Sequence, residues 1–129
     1  MSEHPSSPLS WREVLARHKS LRGIAQGSLL VDRGESGYRN RFLADGRIVY
    51  PGEGLEGNQQ PTRGNAILLE ALQTGSPLRV FLREGVNRWR DLGFYRVEGV
   101  EYRLEEAERR YIYWFTLAPV ENGGKFSTG

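Results

Sequence analysis

The sequence predicts an α+β domain in which a curved, mostly antiparallel, barrel-like sheet carries two helices. The order of segments is one reason: two strand-like pieces come before the stronger helical stretch and three more follow it. The length is another, since 129 residues suit one domain that buries its apolar surface unaided. The third is the absence of cysteine, so neither disulfides nor thiolate zinc can replace a core. The expected layout is a disordered lead-in over 1–9, a single domain over 10–120 and a flexible tail over 121–129.

SWRE, Ser10 to Glu13, opens the first helix. The serine and the glutamate three residues on form a capping box, and Leu9 and Val14 stand where a hydrophobic staple closes. The helix is expected over Trp11 to Lys19, packing Trp11, Val14 and Leu15 on the core. SLLV (Ser28 to Val31) and GRIVY (Gly46 to Tyr50) read as strands, separated by a loop too polar for core. NAILLEALQTG places Ala66, Leu68, Leu69 and Leu72 on one helical stripe that Gly75 and Pro77 stop, giving a second helix from about Asn65 to Gln73. PLRVFL reads as a buried strand, and GFYRVEGVEYRL as a longer one with a bulge at Gly99. EEAE turns that strand back into RRYIYWFTL, making an antiparallel hairpin.

Composition narrows the functions. No apolar run is long enough to span a bilayer, and MSEHPSSP lacks the order of a signal peptide, so an intracellular, cytoplasmic chain is expected. With His4 and His18 the two histidines, no cluster suits a metal, and neither a metal nor another cofactor is expected. Lys19 and Lys125 are the two lysines among 18 basic residues; the rest are arginine, whose forks match phosphates and base edges. A codon bias toward arginine would leave the same trace.

Signatures of catalysis are sparse. There is no phosphate loop, nucleophile elbow or dinucleotide fingerprint, and the acidic pairs Glu53 with Glu56 and Asp32 with Glu35 read as solvated. The stretch YPGEGLEGNQQPTRGN is more informative, because it sets glycines and amides between a strand and a helix. Tyr38, in a glycine- and arginine-rich loop, and Tyr50, at the entry to the glycine loop, are suited to sandwich a planar base beside guanidiniums and amides. Tyr50 also reads as the last core residue of its strand. Trp89, between Arg88 and Arg90, either presents a ring and two cations to a nucleic-acid backbone or covers the hairpin mouth.

Taken in order, SGYRNRF, YPGEG, GNQQPTRGNAILLEAL, PLRVFL and DLGFYRV resemble the pieces of the SRA (SET- and RING-associated, or YDG) domain family, within the PUA-like fold, over roughly Gly27 to Leu117. The resemblance implies a non-catalytic, DNA-binding reader that flips a modified cytosine, of methyl or hydroxymethyl type, into a tyrosine-lined pocket. It implies that Tyr38 and Tyr50 hold the flipped ring and that the backbone at Gly52 and Gly54, beside Glu53, approaches it closely. Gln59, Thr62, Arg63 and Asn65 would pin the glycine loop to the helix start, with Arg63 also facing phosphate. On their charge alone, Arg39, Arg63, Arg88 and Arg90 are expected to line a phosphate track, with Trp89 between the last two. The sequence departs from the family at Arg41, where an acidic residue contacts the cytosine edge. A guanidinium cannot accept from the amino group, so Asn40 or Asp45 supplies that contact or a different base is preferred. The family's YDG triplet is DLG here, Asp91 to Gly93.

A partner nuclease chain in a restriction or defence system fits such a reader. Two other functions remain open on the sequence: a PUA-like RNA-binding module, and an enzyme acting on a modified base with Glu53 as its acid or base.

Overall fold

The computed structural model describes residues 8–33 and 40–120. The expected lead-in, apart from Pro8 and Leu9, and the expected tail lie outside the described residues, as do Tyr38 and Arg39. The element order is α1 (Trp11–His18), β1 (Ile24–Ala25), β2 (Ser28–Val31), β3 (Arg41–Phe42), β4 (Ile48–Pro51), α2 (Gly64–Thr74), β5 (Leu78–Gly85), β6 (Arg88–Glu105) and β7 (Arg110–Pro119). Two helices and a mostly antiparallel sheet are what the sequence led one to expect.

Helix α1 begins on the expected capping box. The Ser10 hydroxyl accepts from the Glu13 N–H at 3.1 Å, and the Glu13 carboxylate accepts from the Ser10 N–H at 2.8 Å. Val14 is fully buried, and Leu9, Trp11 and Leu30 pack with it against Phe81 and Trp89. Leu9 is already tied down, because its backbone exchanges hydrogen bonds with that of Trp89.

The sheet runs β1-β2-β5-β6-β7-β4-β3. β2 and β5 pair in parallel, with Val31 opposite Leu82, and every other pairing is antiparallel. The β6–β7 hairpin is as expected, and its register slips between Val97 and Gly99, where the sequence suggested a bulge. A second slip, between Val80 and Phe81, leaves Leu92 without a partner opposite β5. Asp91 stabilises it: its carboxylate accepts from the Gly93 N–H and from the Arg79 guanidinium, and Gly93 turns at φ 87°, where a Cβ would strain. The DLG triplet therefore shapes a strand bend.

The backbone ladder does not close. β1 and β3 end the sheet, and the barrel-like curvature shows instead in a side chain: the Tyr50 hydroxyl on β4 donates to the Leu30 carbonyl on β2 at 3.2 Å, although three strands lie between β2 and β4 in the sheet order. The two ends of the sheet thus curl toward each other. Gly23 permits this approach, since a Cβ there would come within 3.2 Å of the phenol oxygen. Leu29, Val80, Leu68, Phe115 and Leu117 fill the core beneath helix α2.

Candidate functional site

The seam between the sheet ends opens into a cavity of about 520 Å³. Leu30, Val31 and Asp32 form one wall, and Tyr50, Pro51, Gly52 and Glu53 the opposite one. Asn40, Arg83 and Trp89 complete it, and Leu21, Arg22, Gly23 and Ile24 reach it from the segment after α1. A second bridge crosses the seam there, an ion pair between the Arg22 guanidinium and Glu53 Oε2. Leu21 stands at this rim, 82% exposed.

The glycine loop is held from inside the protein. Gln59 is buried: its amide donates to the carbonyls of Gly52 at 2.8 Å and Gly54 at 3.0 Å, and its Oε1 accepts from the Tyr113 N–H at 2.9 Å. Asn65, equally buried at the start of α2, accepts from the Glu53 N–H at 2.7 Å and donates to the carbonyls of Glu53 and Gln60. Gly52 is needed for these two amides, because a Cβ would fall 2.5 Å from Gln59 Oε1 and 2.7 Å from Asn65 Oδ1. Gly64 serves the same end, leaving room for Glu53 Oε1 over the first turn of α2. Gly52 also lines the cavity.

Of the other residues singled out in the sequence, Asn40, Tyr50 and Glu53 face the cavity, whereas Gly54 and Arg41 are not among its lining residues. Asn40 donates its amide to the Asp32 carbonyl at 2.9 Å, while its Oδ1 is buried without a partner. Arg41 is exposed on β3, as is its neighbour Phe42. Asp45 is engaged by Arg47, which also holds Glu98, and lies outside the cavity lining. Tyr50 is both core and wall, 6% exposed within the main cluster.

Trp89 does not present its ring to a backbone. Strand alternation turns it inward between exposed Arg88 and Arg90, against Trp11 at 5.4 Å between ring centroids. Arg90 pairs with Glu84 at 2.8 Å. Thr62 and Arg63 are exposed ahead of α2; the Thr62 carbonyl accepts from the Asn65 N–H, and Arg63 takes a positive φ of 53°. Two of the acidic residues are less solvated than expected: Asp32 is 8% exposed, and Glu53 pairs with Arg22 through Oε2 while its Oε1 is buried near Gly64 without a hydrogen-bond partner; Glu56 is exposed.

Sequence reading missed Arg22, Gly23 and Arg83 as cavity residues. Arg83 follows directly on the expected strand PLRVFL and by alternation shares a face with Phe81, but that this face of β5 borders the cavity depends on the parallel β2 pairing and on the curl of the sheet, and neither has a local signature. No described helix is long and apolar enough to cross a membrane, and no described group of acidic, histidine or cysteine residues could hold a metal.

A curled sheet whose ends meet over a cavity of mixed apolar and polar lining, with a glycine loop clamped to a helix start, defines an SRA-type domain. The chain belongs to the SRA domain family of ScoMcrA-like type, whose model matches residues 17–125. No curated protein sequence matches it. Among solved structures it is similar to the SRA domain of SUVH5 bound to fully hydroxymethylated CG DNA, with TM-score 0.75 and 18% identity over 91% of this chain and 89% of that one. The SUVH5 SRA complex with fully methylated CG DNA gives TM-score 0.71 and 17% identity over 95% of each chain. The modification-dependent TagI restriction endonuclease gives TM-score 0.76 and 23% identity over 92% of this chain and 50% of its own.

Proposed function

We propose that this domain is a non-catalytic reader of modified cytosine in DNA, which receives the flipped base in the seam cavity. The observation that carries the reading is the buried, unpartnered Oδ1 of Asn40, an acceptor aimed at no group of the protein within a cavity large enough for a nucleoside. A cytosine amino group would satisfy it. The family membership and the likeness to SRA domains held on methylated and hydroxymethylated DNA support the same reading.

In this reading Tyr50 lies against the ring and Asn40 accepts from the exocyclic amine. Gln59 and Asn65 hold the wall that faces the base. Flipping costs a few kcal/mol of stacking and pairing, which contacts inside the cavity must offset. Exposed Arg41, Arg63 and Arg88 are available to phosphates outside it. The likeness to TagI, half of whose chain is matched, supports a role as the recognition part of a restriction or defence system, with cleavage by a nuclease partner.

Binding to matched duplexes with and without a modified cytosine, beside an RNA of equal length, tests the reading. Modified duplexes should bind best, and Asn40→Ala should erase most of that preference. Equal binding of modified and unmodified duplexes would overturn it, and tighter binding of the RNA would favour an RNA-binding module.

A further inference from the structure

Arg83 stands on β5 opposite Trp89 and lines the cavity, half-buried. The other guanidinium in the lining, that of Arg22, is engaged by Glu53. The Arg83 guanidinium has no hydrogen-bond, ion-pair or ring partner among the described residues. A guanidinium carries five donors and no acceptor, so a half-buried one without a partner calls for an acceptor from outside the protein.

The rest of the lining limits what that acceptor belongs to. Arg22 and Arg83 are balanced by Asp32 and Glu53, so a neutral ligand fits and an added carboxylate would meet two others. The volume corresponds to roughly seventeen waters of the bulk liquid, more than a bare pyrimidine ring fills. A methyl group on C5 offers Arg83 nothing; a hydroxyl oxygen one atom further out offers a lone pair.

Resting on the cytosine-reader reading, we propose that Arg83 is a specificity-determining residue, by which the cavity prefers cytosine bearing a neutral 5-hydroxymethyl group over one bearing only a methyl. A charge-assisted hydrogen bond in such a site corresponds to a preference on the order of tenfold.

Competition binding of the full chain decides it, with duplexes carrying one central 5-methyl-, 5-hydroxymethyl-, 5-carboxyl- or unmodified cytosine, for the wild type, Arg83→Met and Arg83→Lys. The wild type should prefer hydroxymethyl over methyl by about tenfold, with carboxyl below hydroxymethyl. Arg83→Met should bring the hydroxymethyl-to-methyl ratio close to one, and Arg83→Lys, which keeps a donor, should retain part of it. Thermal unfolding of each variant confirms that it is folded. An equal loss on all four duplexes would place Arg83 on phosphate, and a wild-type preference for methyl would also overturn the proposal; both leave the reader intact. Failure of the wild type to distinguish any modified duplex from the unmodified one would instead remove the reader reading itself.

Discussion

The two sides of the glycine loop treat their amides differently. On the inner side every polar side-chain atom of Gln59 and Asn65 that could be left buried has a partner, and these partners are backbone groups of the loop itself and of β7. Among the cavity-lining residues, Asn40 Oδ1, Glu53 Oε1 and the Arg83 head group have no hydrogen-bond partner among the described residues. Both sets are polar residues near glycines in the sequence. What separates structure from recognition here is whether the hydrogen-bonding capacity is consumed within the chain.

The sharpest way to break this contrast is to remove one amide from each side. Asn65→Ala leaves the Glu53 N–H and two carbonyls without partners in a buried place, and should lower unfolding stability by about 3 kcal/mol, read from urea midpoints at constant m. Asn40→Ala loses one bond to the Asp32 carbonyl and should cost about 1 kcal/mol. Comparable losses at the two positions would erase the distinction.

A smaller effect is expected at the strand bend. Burial, the largest single influence on the Asp91 carboxyl, pushes its pKa up, but the Arg79 guanidinium, the Gly93 N–H and Arg17 together hold it below the ordinary carboxylate value. A depressed pKa means that the unfolded chain binds the proton more readily. The contribution is therefore present at neutral pH and is lost as pH falls below the ordinary carboxylate range. Because Arg79 is partly exposed, Asp91→Asn should cost only about 1 kcal/mol at neutral pH, with no loss relative to wild type in strong acid. A larger deficit, unchanged by pH, would show that packing rather than charge holds the bend.

The smallest effect concerns His18, which joins α1 to the rim of the cavity. It is buried, with Nδ1 2.6 Å from the Ser28 hydroxyl and Nε2 2.6 Å from the Arg22 carbonyl. Burial lowers its pKa, and the Arg22 carbonyl partly opposes this. The neutral ring is thus favoured in the folded state, and its contribution is complete above the ordinary 6.5 and declines as pH falls from there through the folded value. Urea midpoints should drop as the pH is lowered below 6.5, and His18→Gln should flatten that slope. A slope identical in the variant would assign the titration to other groups.

Much of the fold was legible because its signals are local. Ser10 and Glu13 announce α1, Gly75 ends α2 at φ 74°, and EEAE marks the turn between β6 and β7. The two-residue strands β1 and β3 were not, since a pair of residues has no period. Trp89 shows the limit for the site. Its flanking arginines suggested display, yet the same RWR pattern is strand alternation, and only the extent of β6 decides between them. Gln59 and Asn65 were placed at the loop through family resemblance, while Arg22 and Arg83 needed the curl of the sheet to bring them to one cavity.

That curl also sets where the molecule can move. Across the seam, the Tyr50 hydroxyl and the Arg22–Glu53 pair connect elements that no backbone ladder joins. Widening the seam breaks these side-chain contacts and loosens the core packing between β2 and β4 while β5, β6 and β7 stay paired, so it costs less than global unfolding. Amide exchange should report that breathing at the end strands β1 and β3 long before it reaches the β6–β7 hairpin.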